Sequence, residues 1–214
     1  MKLKIYVDLG NIAGLLALDG VRQLQSETAV GVEWYPLQGI VPRPLRPEPR
    51  HDPEDPLADY KRIRWQARYQ FDEQELHRDC ERLDLEFQLA SKTLDAKLTH
   101  MALMYVREND ESRSLDFIQE VYQRRFRVGE SIDDENQIQH VIDRLELDGS
   151  RFVSRLDHWE EQWQKHVETY LELGIHDSPA FLLVDETFQG RQHFPLIRWR
   201  LQSDAHSDPN SAPL

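Results

Sequence analysis

Strand signals sit only at the two ends of this chain, and that arrangement limits the fold more than any other feature. Residues 2–8 are rich in Leu, Ile, Tyr and Val and read as a strand that breaks at Gly10-Asn11. From Ile12 to about Gln25, Leu15, Leu16, Leu18, Val21 and Leu24 form one helical stripe. Val30 to Tyr35 is a second strand, stopped by Pro36. A helical crossover of that length lets the two strands lie parallel. At the other end, Ser178-Pro179 leads into a strand over Ala180–Val184, followed by a turn near Asp185-Glu186. A second strand follows over Thr187–Gly190, and then a helix from about Phe194 to Leu201 carrying Trp199. The chain therefore opens β-α-β and closes β-β-α, which makes it an α/β protein with a helical insertion.

The insertion spans residues 57–174. The spacing predicts helices over roughly 57–69, 73–83, 89–108, 113–127, 134–145, 149–156 and 158–173. Asp133-Asp134 and Asp148-Gly149-Ser150 read as helix starts, and Gly174 as a helix end. Trp159 and Trp163, four residues apart, are expected in the core, and Trp65 is expected to pack the insertion onto it. Seven of the eleven prolines fall between Pro36 and Pro56, which predicts an extended loop. The domain reading is residues 1–56 with 175–202 as one discontinuous unit, 57–174 as the insertion, and 203–214 as a disordered tail.

Composition removes several function classes. A formal charge of -13 argues against nucleic acid, since phosphate binding needs clustered cations. The exception, Arg124-Arg125-Phe126-Arg127, reads as a solvated helix end. No apolar run approaches the ~20 residues that span a bilayer, and the opening turns into a strand containing Asp8 rather than an apolar signal core. Cys80 is the only cysteine, so no intrachain disulfide forms. These features point to a cytoplasmic protein that binds neither membrane nor nucleic acid. The nine histidines match no compact ligand motif, so no metal site is expected. Acids and bases both flank Cys80, which reads as structural.

Taking out the insertion leaves the order of the thioredoxin fold. The strand ending at Asp8, the helix from Ile12, the segment Glu130-Ser131-Ile132-Asp133-Asp134 and above all Leu173-Gly174-Ile175-His176-Asp177-Ser178-Pro179-Ala180-Phe181 carry the likeness. Over roughly residues 2–201 the chain resembles the DsbA-like branch of the thioredoxin superfamily. Its pattern is nearest to the 2-hydroxychromene-2-carboxylate isomerases and kappa-class glutathione transferases. The resemblance implies a thioredoxin-like fold with a large helical insertion.

Members with redox activity carry a Cys-x-x-Cys at the strand-to-helix turn, where this chain reads Asn11-Ile12-Ala13-Gly14. In glutathione-using relatives a Ser-Pro pair sits at that turn, and its serine falls here on Asn11, beside Gly10, and its proline on Ile12. Asn11 is open to two readings, a hydrogen bond to a thiol or a helix cap. The resemblance also implies that Ser178-Pro179 is cis, with backbone able to grip a small thiol or a peptide. The family's γ-glutamyl site falls on Gly190-Arg191-Gln192-His193, where Gln192 replaces the usual acid and Arg191 offers a carboxylate partner instead. Tyr60, Arg64, Trp65 and Arg68 lie in the region that covers the pocket in relatives. Two functions follow as expectations: a non-redox binding or accessory protein using the cleft beside Pro179, or a glutathione-dependent isomerase or transferase. Homodimerisation is common among the relatives.

Overall fold

The computed structural model describes residues 2–39, 54–87, 95–130, 132 and 134–206. Four strands make one sheet: β1 (Lys2–Val7), β2 (Gly31–Pro36), β3 (Ala180–Leu183) and β4 (Glu186–Gln189), in the order β2-β1-β3-β4. β1 runs parallel to β2, with Ile5 opposite Trp34, and antiparallel to β3, with Ile5 opposite Phe181. β3 and β4 form the hairpin, turned by Val184 at φ 59°. The two ends of the chain thus build a single sheet, as their strand patterns require.

Strand alternation sorts the layers. Val7 faces α1 (Ala13–Thr28): a Cβ added at Gly14 would lie 3.2 Å from the Val7 Cβ. On the opposite face Tyr6 stacks on Tyr35 at 5.1 Å and on His166 at 6.2 Å. His166 belongs to α7 (Leu156–Glu172), which packs beside α3 (Lys97–Asn109); from α3, Arg107 lies 3.6 Å over the Tyr35 ring. Burial pushes the Tyr6 hydroxyl up to about 12. The closing helix, α8 (Phe194–His206), packs against α1, where Phe194 takes the room left by Gly20.

The rest of the insertion comprises α2 (Ala58–Leu83), α4 (Ser114–Gln123) running into a widened π turn over Arg124–Val128, α5 (Glu135–Arg144) and α6 (Gly149–Val153). Asp134 caps α5 through the Gln137 N–H at 3.0 Å, and Asp148 caps α6 through the Arg151 N–H at 3.0 Å. Gly174 closes α7 at φ 72°. Trp159 and Trp163 are buried in the core.

Four expectations change. The helices expected over 57–69 and 73–83 are one helix: no glycine or proline interrupts Tyr69-Gln70-Phe71-Asp72, and its neighbours are good helix formers. Trp65 is partly exposed and stacks on Tyr69 of its own helix at 5.0 Å. Arg125 is not part of a solvated helix end; it is 2% exposed. α8 continues past Leu201 to His206. Most of the proline-rich loop (40–53), the start of the helix expected from 89, Ser131 and Asp133 of the insertion motif, and the tail 207–214 lie outside the described residues.

Candidate functional site

The strand-to-helix turn after β1 is closed around the buried carboxylate of Asp8. Its Oδ1 accepts the Gly10 N–H at 2.7 Å, and its Oδ2 accepts Asn11 Nδ2 at 2.7 Å and the Gly39 N–H at 3.0 Å. Asn11 completes the bend by receiving the Ala13 N–H on Oδ1 at 2.9 Å, an Asx-type cap at the helix entry. The Leu9 N–H donates to His100 Nε2 at 3.0 Å, and that nitrogen lies 3.3 Å from Asp8 Oδ1. The imidazole stacks on Trp163 at 5.1 Å.

The insertion holds the same turn by its carbonyls. Tyr122 of α4 donates to Asp8 O at 2.9 Å, and burial pushes its hydroxyl well above the usual tyrosine range. Arg125 Nη1 donates to Leu9 O at 2.8 Å, while Nη2 reaches Thr99 Oγ1 at 2.9 Å and Ile132 O at 3.0 Å. From the other end of the chain, Ser178 Oγ accepts the Asp8 N–H at 2.9 Å. Elements from three parts of the sequence therefore meet at four residues, Asp8 to Asn11. Asn11 is 1% exposed and Gly10 is buried.

Beside this turn lies an open cleft of about 320 Å³. Its apolar floor comes from Ile12 and Leu16 of the α1 end and Leu76 of α2. Ser178 and Pro179, joined by a cis peptide bond, form one wall. Arg191 and Gln192 close it beyond β4. Arg191 crosses to α2 and pairs with both oxygens of Asp79, at 3.3 and 2.6 Å. With Asp79, the carboxylates of Asp72, Glu75 and Asp177 also border the cleft, so the described residues of its lining are net negative. Some backbone is already engaged: the Ser178 N–H donates to Asp177 Oδ1 at 2.9 Å, and Pro179 O accepts the Gly190 N–H at 2.7 Å.

Five residues singled out in the sequence, Ile12, Ser178, Pro179, Arg191 and Gln192, thus converge on one cleft. Gly10 and Asn11 do not line it; they lie in the buried turn next to it. Sequence reasoning missed His100, Thr99, Tyr122 and Arg125 behind the turn, and Asp72, Glu75, Asp79 and Asp177 around the cleft. One signal was readable: Ile118, Val121, Tyr122, Arg125 and Phe126 repeat at three- and four-residue spacing, which places Arg125 on an apolar face. Cys80 lies on the buried face of α2, 3% exposed, and burial together with neighbouring Asp79 pushes its thiol up, away from the reactive thiolate. Among the described residues no group of three or more His, Cys, Asp or Glu is placed to hold a metal ion. Among them, too, no helix is long and apolar enough to cross a membrane.

No protein-family model matches the sequence, and no curated protein sequence matches it significantly. Solved structures do match. A 2-hydroxychromene-2-carboxylate isomerase superposes with a TM-score of 0.66 over 100% of both chains at 14% identity. A probable DsbA oxidoreductase of Streptomyces coelicolor gives a TM-score of 0.66 at 16% identity, over 100% of this chain and 93% of that one. A proposed protein disulfide isomerase of Nitrosomonas europaea gives 0.65 at 12%, over 97% of this chain and 100% of the other. At such identities likeness speaks for architecture: the chain has the DsbA-like thioredoxin fold with a helical insertion, the fold it shares with 2-hydroxychromene-2-carboxylate isomerase.

Proposed function

We propose that this chain is a non-redox, ligand-binding protein of the DsbA-like fold, working through the cleft beside Pro179. One observation carries the reading. The turn where the fold's redox members keep their cysteines has none and is consumed by internal hydrogen bonds, whereas the adjoining cleft is open and has an apolar floor with a polar rim. Clefts of roughly this size accept small molecules or a few residues of a peptide. A small thiol or a short peptide in the cytoplasm fits a protein with one buried, protonated cysteine. Membranes and nucleic acid are outside this role.

A second reading, a glutathione-dependent isomerase or transferase, draws on the full-length likeness to the isomerase and on the convergence of Ile12, Ser178, Pro179 and Arg191. Glutathione carries net negative charge, so the acidic lining weighs against it. Asn11, already bonded to Asp8 and Ala13, is a poor thiol contact.

Calorimetric titration with reduced glutathione, and separately with a reduced, carboxamidomethylated insulin B chain as an uncharged-cap model peptide, separates the two. Peptide heat that is lost in Pro179→Ala and Arg191→Ala supports the binding role. Saturable glutathione heat that falls in Asn11→Ala favours the isomerase or transferase. Catalysed reduction of insulin disulfides with dithiothreitol, or no heat with either probe at millimolar concentration, overturns the binding role.

A further inference from the structure

The helix α2 turns its apolar side chains the wrong way for a helix that only packs on a core. Over 26 residues it buries only Leu76 and Cys80. Its start carries exposed apolar residues instead: Leu57 at the cap is 56% exposed, Tyr60 60%, Ile63 59% and Phe71 57%. With Ala67 they recur at three- and four-residue spacing, so they form one stripe on the side opposite Leu76 and Cys80. None of the five lines the cleft. Contiguous exposed apolar surface of this kind marks an interaction site.

Charge identifies what covers the stripe. Residues 58–71 hold four cations against one acid. Lys61 pairs with Asp55 at 2.7 Å and Arg62 with Asp59 at 3.3 Å. Arg64 and Arg68 are exposed, and neither has an acidic partner among the described residues. That is unexpected in a chain with 39 acids against 26 bases. Arg64 stands one turn after Tyr60 and Arg68 one turn before Phe71, so both guanidinium groups lie along the stripe. The opposite flank, Gln66 and Gln70, is uncharged. The occupant must therefore bring apolar side chains and carboxylates together. It must also satisfy its own backbone, because the side of a helix offers no free N–H or C=O groups; that selects a second helix. An anionic bilayer fits less well: it would extend past Phe71 and meet residues 72–83, which hold five acids against two cations.

We infer that the outward face of α2 from Leu57 to Phe71 is a docking surface for an acidic, amphipathic helix of a partner protein. The docked helix covers Tyr60, Ile63 and Phe71 with its apolar side chains, and its carboxylates pair with Arg64 and Arg68. Ala67, on one ridge with Ile63 and Phe71, leaves the dip that an incoming side chain fills. The surface goes beyond the cleft's ligand-binding role and does not rest on it. At about 1.5 Å per residue the stripe is about 21 Å long. It offers well under the ~800 Å² per partner of a standard interface, so dissociation is expected at roughly tens of micromolar.

A displayed library of helical peptides of about 18 residues, long enough to cover the stripe, tests the surface. The library is selected on the full chain and counter-selected on Phe71→Glu. The selected peptides should carry Asp or Glu beside an apolar repeat of three- and four-residue spacing. Synthesised and labelled, they should bind at roughly tens of micromolar by fluorescence anisotropy. Ile63→Glu and Phe71→Glu should each weaken that binding tenfold or more, with circular dichroism and melting temperature unchanged because both side chains are exposed. Arg64→Glu combined with Arg68→Glu should weaken it several-fold. A peptide whose acids are replaced by lysine should then bind this variant more tightly than it binds the parent chain, which a merely structural effect would not produce. Selection of basic or non-helical peptides, no enrichment at all, binding indifferent to Ile63→Glu, or a charge swap without recovery overturns the assignment. So does flotation of the parent chain, but not of Ile63→Glu, with phosphatidylserine-containing vesicles, which would give the face to a membrane.

Discussion

Replacing Asn11 with alanine separates the two things this residue can be. In the structure its Oδ1 receives the Ala13 N–H at 2.9 Å, and its Nδ2 donates to Asp8 Oδ2 at 2.7 Å. Loss of a cap of this kind costs about 1 kcal/mol. A hydrogen bond to an ionised carboxylate contributes about 1.5–3 kcal/mol, and at 1% exposure little water can replace it. Asp8 keeps Gly10 and Gly39 as donors, so the lower part of that range applies. The variant should therefore lose about 3 kcal/mol. With an m-value of about 3 kcal/mol per M for a domain of this size, the urea midpoint falls by about 1 M.

Equilibrium urea unfolding followed by tryptophan fluorescence reads that shift directly, and the same variant is then titrated with the cleft's ligand. Asn11→Asp adds an internal control: it keeps the cap acceptor for the Ala13 N–H but removes the donor to Asp8 Oδ2, so it should lose at least as much as the carboxylate bond contributes. A midpoint shift below about 0.2 M for Asn11→Ala, which on the same m-value is about 0.6 kcal/mol, would refute the cap. Unchanged stability with abolished ligand binding would refute the whole assignment of Asn11 to the scaffold.

Three further outcomes are expected. Burial holds the His166 imidazole below its usual value despite its bond to Pro36 O at 2.7 Å, with Arg107 adding to the effect. The unfolded chain then takes up the proton first, so this contribution is intact above about pH 6.5 and is lost as pH falls below it. His166→Gln should show a smaller drop in urea midpoint between about pH 7.5 and pH 5 than the parent protein. Cys80, buried with its thiol pushed up, should react with a thiol reagent such as Ellman's only in denaturant; rapid labelling of the native protein would contradict its placement. At Gly14 an added Cβ would stand 1.9 Å from the Tyr122 hydroxyl, which is tied to Asp8 O at 2.9 Å. Gly14→Ala should cost about 2–3 kcal/mol in a thermal or urea melt, and Tyr122→Phe in the same chain should recover part of that loss.

What the sequence showed of the fold follows from where apolar patterning and chain punctuation agree. The terminal strands, the caps at Asp134 and Asp148 and the stop at Gly174 each carried a local signal and stand where they were expected. The continuity of α2 was missed because a break was expected between residues 69 and 73, although no glycine or proline stands there. Polar residues on inward faces were the other blind spot. His100 and Arg125 point into the core from helices whose inward residues are mostly apolar, and each reaches a carbonyl or amide of a distant turn. Such partners lie 91 and 116 residues away, beyond the reach of any periodicity. The cleft was half legible: the Pro179 wall and Arg191 came from a likeness of pattern, while its acidic wall on α2 depended on how the insertion docks.

The closed turn also decides which physical forces remain for recognition. A helix start can favour an anion only through N–H groups that are not already bonded. Here the Gly10 N–H goes to Asp8, the Leu9 N–H to His100 and the Ala13 N–H to Asn11. The approach to α1 and its first amide are therefore satisfied from within, and a thiolate arriving there would find the Ala13 donor spent. Toward the cleft the balance is opposite. Arg191 is the single cation among the described residues of the lining, and Asp79 holds it in both hydrogen-bonding positions, so its charge is largely cancelled before any ligand arrives. An anionic ligand would have to break that pair and face the carboxylates of Asp72, Glu75 and Asp177. A neutral or cationic ligand with an apolar body meets no such cost: it can cover Ile12, Leu16 and Leu76 while leaving the pair intact. On the proposed reading, charge as well as the missing cysteines turns this cleft from thiol chemistry toward binding.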